Sequence, residues 1–568
     1  DLRTSIDLAY NTLKREEPLF LGGSASAVAL AVVAACAKTD SGGSEGEAAG
    51  FNPQERSALK QGGELRFSIT ATIANWNRAT VDGNSVDLDN IYAFIMPYAV
   101  LWAEDGSPSP NPDFFTTLEA EEADGKTVVT ATLNDKAVWG NGRSMDSEDI
   151  RESLVHGTDQ KYAWASNDGY DQVENVEIVD ALTAKVTFKA IFPDWTNMMS
   201  NIISKDLAAK AETFNTSMAG SGAFNNDYFA GPFKIDSYDE SQQLVALVPN
   251  DKWWGDSPLL DKVTFRVLDP AAEATSFANS AIDVLTYIIS ADVYDQASGR
   301  SDAEIRQNNG RQWRHFTINA SSGPLSEEPV RQAILRACDR QAIASSDLAG
   351  LPVDPEKLLL GNRFFLTVQE GYQDNSGDWG FDPEAAKKLL EDAGWKEGAD
   401  GIREKDGQRL TFAFTFPAAT PTSENEGNLL QSQLRDVGIE MTMQSVETNK
   451  YFTDYVNVKN FGITAFTWQK TQYPMANIKQ IYGTGSDSNF TGQSIPEIDD
   501  YIARVSTTDD EQERFRMTNE IDKLVWKHVM NIPIYERRQL TAVPKNLANY
   551  GAMGLSSVHA ENIGYMAD

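Results

Sequence analysis

Histidines, cysteines and acids are the side chains through which this 568-residue chain could do chemistry, and they number 4, 2 and 83. His156, His315, His528 and His559 stand far apart, and none belongs to a His-Glu-x-x-His pair. No Cys-x-x-Cys, phosphate-binding glycine loop, Gly-x-Ser-x-Gly elbow or dinucleotide fingerprint occurs either. So many acids place carboxylates near one another by chance, and a glycosidase-like pair cannot be argued from them. The expectation is a protein that is not an enzyme, with no cofactor and no metal; turnover of a peptide or glycoside by the purified protein would revive the enzyme reading.

Binding chemistry has a clearer candidate. Phe461 to Trp468 (FGITAFTW) reads as a strand, and Gln469-Lys470-Thr471-Gln472-Tyr473-Pro474 is the loop that leaves it. Ligands of α/β proteins gather at strand ends and in the crevice between lobes, so Trp468, Gln469, Lys470 and Thr471 are candidate contacts. A strand this rich in Phe could equally bury Trp468 as core.

The elements around it follow local rules. Asp382-Pro383-Glu384 is a helix start, Ala386, Leu389 and Ala393 form its apolar stripe, and Gly394 ends it. Asp406-Gly407 predicts a hairpin turn, after which Leu410, Phe412, Phe414 and Phe416 alternate with polar or small residues. A helix carrying Leu430, Leu434 and Val437 stops at Gly438, and Ile439, Met441 and Met443 alternate in the next strand. Leu410 to Met443 is therefore a β-α-β unit with a right-handed crossover. Upstream, strands are expected at Leu65 to Ile69, Thr127 to Leu133 and Ala184 to Phe188, with an acidic helix start at Asp146-Ser147-Glu148-Asp149. In mid-chain, Ala230-Gly231-Pro232-Phe233 opens a half-buried strand with Phe233 and Ile235 on one face. A turn, a second strand at Leu244 to Val248 and an aromatic knot at Trp253-Trp254 follow.

Composition bounds the answer. At 41% apolar and 10% aromatic the chain can bury more than one core, and its length calls for two or three domains. A formal charge of -34, spread along the chain, would repel a polyanion, so nucleic acid is not an expected partner. Cys338 lies at helical spacing from Val330 and Ile334 and is read as a buried structural thiol.

The N-terminus supplies the other cysteine. Lys14-Arg15 precede an apolar run from Leu19 to Ala35, shorter than the roughly 20 residues of a transmembrane helix. The run ends in Val33-Ala34-Ala35-Cys36, which resembles a bacterial lipobox, and the Gly/Ser/Glu-rich stretch after it fits a flexible stalk. That resemblance implies acylation of Cys36 after cleavage of the signal. Residues 1–14 and the Glu16-Glu17 pair fit no part of such a signal.

Five passages in order, from about Gly62 to Gly551, together resemble the family 5 extracellular solute-binding proteins of bacterial ABC importers, the peptide- and nickel-binding group. They are the Gly62-Gly63 strand entry, Trp139 to Asp149, Gly231 to Gly255, the Arg331-Gln332-Ala333-Ile334 helix and the β-α-β unit. The resemblance implies an α/β type II periplasmic-binding-protein fold, with two large lobes that close on a ligand and an extra small lobe inserted in the first. The expected division is a signal-like segment at 1–35 and a lipidated Cys with flexible tether at 36–61. The first large lobe takes 62–77 with 225–310 and 536–568, the small lobe 78–224 and the second large lobe 311–535.

By the same resemblance Asn75 and Trp76 line the cleft, Trp468 faces the ligand, and the edge of its strand bonds an extended peptide. Relatives that hold the peptide's amino group with an Asp three residues after that Trp differ from this chain, which has Thr471 there and Lys470 beside it. Glu152, which aligns near the ligand, is a candidate replacement acid, although a solvated helix acid explains it as well. The implied function is capture of an oligopeptide or other small solute for permease subunits. The protein is expected to be a monomer when free and to be anchored through Cys36 to the outer face of the cytoplasmic membrane. The alternatives are a regulatory or structural envelope lipoprotein and a binder of a non-peptide solute.

Overall fold

The structure is a computed structural model that describes residues 19–21 and 50–567, apart from 419 and 477. Cys36, with most of the signal-like segment, lies outside the described residues. The chain forms two compact units, one comprising 24–308 with 539–568 and the other 1–23 with 309–538.

In the first unit, order begins before Gly62. Leu59–Lys60 pairs with Gly564–Met566, so the tether expected to reach residue 61 is already folded there. Strand β1 (Glu64–Ile69) follows. Strands β2 (Phe115–Ala123) and β3 (Lys126–Leu133) come next, then helix α1 (Ser147–Leu154), β4 (Val173–Ile178) and β5 (Thr183–Phe188). The four strands make an antiparallel sheet in the order β2-β3-β5-β4. Asp146 and Asp149 form a reciprocal capping box at the start of α1, as the acidic run predicts. The mid-chain hairpin is β6 (Phe233–Asp239) and β7 (Leu244–Pro249); with β8 (Lys262–Val267) and β1 it makes the order β6-β7-β8-β1. Phe233 and Ile235 are buried, and a bulge after Ile235 ends their alternation. The knot packs Trp253 on Trp254, with Trp254 Nε1 donating to Asp113 O at 2.6 Å.

The second unit holds β9 (Gln312–Ile318), α2 (Glu328–Ala337), α3 (Pro383–Asp392), β10 (Thr411–Pro417) and α4 (Pro421–Arg435). Strands β11 (Glu440–Val446) and β12 (Ile463–Gln469), helix α5 (Glu511–His528) and β13 (Asn531–Glu536) complete it. The sheet order is β11-β10-β12-β9-β13. Strands β10 and β11 run parallel with α4 between them, the expected β-α-β unit. Asp382 caps α3 and Gly394, at φ +90°, leaves it, but the stripe differs by one residue: Ala386 and Leu390 are fully buried and Leu389 only half so. Cys338 caps the end of α2 and is buried; loss of solvent pushes its thiol up to about 12, which makes it inert.

Alternation in β9 and β12 sends side chains to two faces. Phe316, Ile318, Ile463 and Ala465 join a core with α2 and α4, including Ile334 and Leu430. Trp313, Phe466 and Trp468 join a second cluster with Tyr451, Phe452 and Phe490 on the other face.

Candidate functional site

Strand β12 positions the site. Its early residues Ile463 and Thr464 pair with β10, and from there the two strands part. On the opposite edge β12 pairs with β9 along its whole length, from Ile463 opposite Ile318 to Gln469 opposite Gln312. Lys470 N–H donates to Arg311 O at 2.7 Å on the β9 side. By strand alternation the backbone groups of Thr467 and Gln469 face the other way, toward the edge that β10 leaves uncovered. The chain's own Leu19–Leu21 lies there as a parallel strand, with Phe20 in register with Trp468.

Beside this edge is a small pocket open to solvent, lined by Trp468, Gln469, Lys470 and Thr471 with Trp313, Phe364, Tyr473 and Tyr482. All four site residues predicted from the second half of the chain thus line one cavity. Trp468 is only 3% exposed, stacking on Phe490 and meeting Phe466 edge-on, so it is both core and wall.

The charges are arranged differently from the sequence expectation. Lys470 does not bring a free positive charge, because its Nζ donates to Glu536 Oε2 at 2.7 Å and to Phe365 O at 2.8 Å. Burial pushes the Glu536 carboxyl above its usual value, while the Lys470 ammonium pulls it back. Thr471 Oγ1 accepts from Tyr473 N–H at 3.1 Å, closing a local turn. Arg363, which also lines the pocket, bonds Asp522 Oδ1 at 2.9 Å and Asn531 Oδ1 at 2.6 Å and lies over the Trp526 ring. Tyr482 OH accepts from Asn531 Nδ2 at 2.8 Å, and burial pushes that hydroxyl up to about 12.

The other three predicted residues belong to the first unit. Asn75 is 2% exposed and donates from Nδ2 to Asn215 O at 2.8 Å. Trp76 is fully buried, with Nε1 donating to Ser221 O at 3.0 Å and its ring edge-on to Phe224. Glu152 bonds His156 Nε2 at 2.6 Å and Arg151 at 3.1 Å. Burial would raise the Glu152 carboxyl, but the hydrogen bonds from His156 and Arg151 outweigh it and hold it below its usual value. Sequence reasoning missed Trp313, Arg363, Phe364, Tyr482 and Glu536. Trp313 had a signal, since QWRHFTI alternates as a strand partner for FTWQ; the others are brought in by tertiary contacts alone.

Among the described residues no group of three His, Cys, Asp or Glu could hold a metal ion, and no helix is long and apolar enough to cross a membrane. A strand edge that accepts an added strand beside an aromatic-walled pocket is a binding arrangement.

Residues 109–490 match the family described as bacterial extracellular solute-binding proteins, family 5 middle, and the chain belongs to that family. It is a solute-binding protein of the kind that serves ABC importers. It is 33% identical over 529 residues to a protein of Mycobacterium tuberculosis (strain ATCC 25618 / H37Rv) named oligopeptide-binding protein OppA, covering 92% of this chain and 88% of that one. Among solved structures it resembles a periplasmic EDTA-binding protein, EppA, with TM-score 0.82, 24% identity and coverage of 91% and 98%. It also resembles the oligopeptide-binding protein AppA of Bacillus subtilis in complex with a nonapeptide, with TM-score 0.71, 19% identity and coverage of 90% and 100%. These two likenesses establish the type II binding-protein fold.

Proposed function

We propose that this protein captures an oligopeptide, held extended along the edge of β12 that β10 leaves uncovered, for delivery to ABC permease subunits, while acylated Cys36 tethers it to the outer face of the cytoplasmic membrane. The observation that carries the reading is the backbone edge at Thr467 to Gln469, along which the chain's own Leu19–Leu21 strand is laid. The edge is indifferent to side chains, as capture of varied peptides requires. The 33% identical relative named for oligopeptide binding supports the same class. We confine the site to residues 468–471 and their pocket neighbours. Asn75 and Trp76 shape their own segment, and Glu152 is held by His156 and Arg151.

The test uses the uncleaved full chain, which keeps residues 19–21, carrying Phe20→Pro to disable its own added strand, and the pentapeptide Leu-Phe-Leu-Gly-Gly, which copies residues 19–23. Gln469→Pro removes an N–H from the free edge and leaves the β9 ladder intact. An unmade bond at a desolvated edge costs about 1–3 kcal/mol, so affinity should fall roughly 10-fold or more, while Gln469→Ala should change it little. Equal loss in both variants, or a non-peptide ligand found by mass spectrometry in the purified protein, overturns the peptide-edge reading. For the anchor, Cys36→Ser should move the protein out of the membrane fraction; a variant still bound as firmly as the parent refutes acylation as the tether.

A further inference from the structure

Every charged group that lines the β12 pocket already has a partner within the protein. Trp468 and Lys470 are two residues apart and share a face, and β9 sets Trp313 opposite Trp468 and Glu536 opposite Trp313. Two tryptophans, a lysine and a carboxylate thus meet on one side of the sheet. The Lys470 side chain is 2% exposed and its ammonium sits between Glu536 and the Phe365 carbonyl. Arg363 is closed off by Asp522 and Asn531, and the Thr471 hydroxyl by its own turn. The remaining walls, Phe364, Tyr473, Pro474 and Ile481, carry no charge.

We infer that Lys470 is a built-in cation that keeps this pocket neutral, so that the pocket takes an uncharged aromatic or aliphatic side chain of the ligand and rejects ammonium and carboxylate groups alike. A ligand ammonium entering here loses its water and finds Glu536 already held by a cation that cannot leave. A ligand carboxylate finds Arg363 and Lys470 equally engaged. Aromatic walls then favour a group with no charge to desolvate. The inference rests on the peptide-edge reading and adds to it the side chain the site selects, with Lys470 as the residue that sets the choice.

The register of the added strand supplies the probe. A residue in register with Trp468 projects to the Trp468 face, so the second residue of Leu-Phe-Leu-Gly-Gly, the Phe, reports on the pocket. The full chain carrying Phe20→Pro is titrated with that peptide and with versions that carry Lys or Glu in place of its Phe. The Phe peptide should bind at least 10-fold more tightly than either charged one. Adding Lys470→Met keeps the apolar stem and frees Glu536, and should improve the Lys peptide relative to the Phe peptide by 10-fold or more. Adding Glu536→Gln as well should erase that gain. Equal binding of the three peptides by the Phe20→Pro chain overturns the inference and leaves the peptide-edge reading standing, as does a Lys470→Met chain whose Lys-to-Phe preference is unchanged. Absence of binding by all three peptides overturns both. The comparison among peptides needs no change at Lys470, and the double variant carries no buried lone charge, so a poorly folded Lys470→Met does not decide the matter.

Discussion

Replacing Glu426 with Gln should strongly destabilise the 309–538 unit, because it strands a charge beneath the strand that carries the site. Arg314 and Glu426 are both fully buried, on the face of β9 opposite Trp313. Arg314 Nε donates to Glu426 Oε1 at 2.9 Å and its Nη2 to Oε2, while Ser423 and Thr467 hydroxyls accept at 3.1 and 3.2 Å. The substitution keeps shape and an acceptor but deletes the countercharge, leaving a guanidinium away from water. Breaking a buried pair on one side costs about 3–5 kcal/mol, whereas replacing both partners with apolar residues of similar volume is close to neutral. Arg314→Met with Glu426→Leu should therefore recover most of the loss. With a urea dependence of about 2–3 kcal/mol per molar for a unit of this size, Glu426→Gln should lower the unfolding midpoint by roughly 1–2 M. Tryptophan fluorescence follows it through Trp313, Trp468 and Trp526, all of this unit. A shift for Glu426→Gln below about 0.3 M, or a double variant as unstable as the single one, refutes the reasoning.

Two further perturbations follow from neighbouring groups. Burial, with Arg314 and Arg363 nearby, pushes His315 well below its usual value, so it is neutral when folded and titrates near 6.5 when unfolded. Its contribution is complete above about pH 6.5 and is lost as pH falls below it, amounting to about 1.4 kcal/mol between pH 7.5 and 5.5. The stability difference between the parent and His315→Gln should shrink by that amount over this range, and a difference independent of pH refutes the assignment. Gly427→Ala should destabilise although Ala is the better helix former by about 1 kcal/mol. The added Cβ would stand 2.6 Å from the buried Phe414 ring and from Met443, an overpacking that costs about 1–3 kcal/mol or more. An unchanged or raised melting temperature for Gly427→Ala would show that α4 can lift off the sheet.

Local grammar made much of the second unit legible. The Asp382-Pro383 start of α3, the Asp406-Gly407 turn and the β10-α4-β11 alternation depend on residues within a few positions of one another. Capping bonds, turn conformations and alternation are settled at that range, and the same holds for β12 and the loop that carries Trp468 to Thr471. What each of these residues does was decided elsewhere. Lys470 reads as a bare positive charge until folding brings Glu536, 66 positions later, to its ammonium. Gly427 stands inside α4, where the Phe414 ring leaves no room for a methyl group. Asn75 and Trp76 are cleft residues by resemblance alone, and only the fold brings the backbone carbonyls, some 140 positions away, that hold their side chains. Leu59–Lys60, in a stretch with a linker's composition, is ordered because the far C-terminus offers it a strand. The pattern of residue types specifies which elements form and which face each buries. The partners of a buried polar group, and the room beside it, depend on how separate elements come together, which no local window of sequence contains.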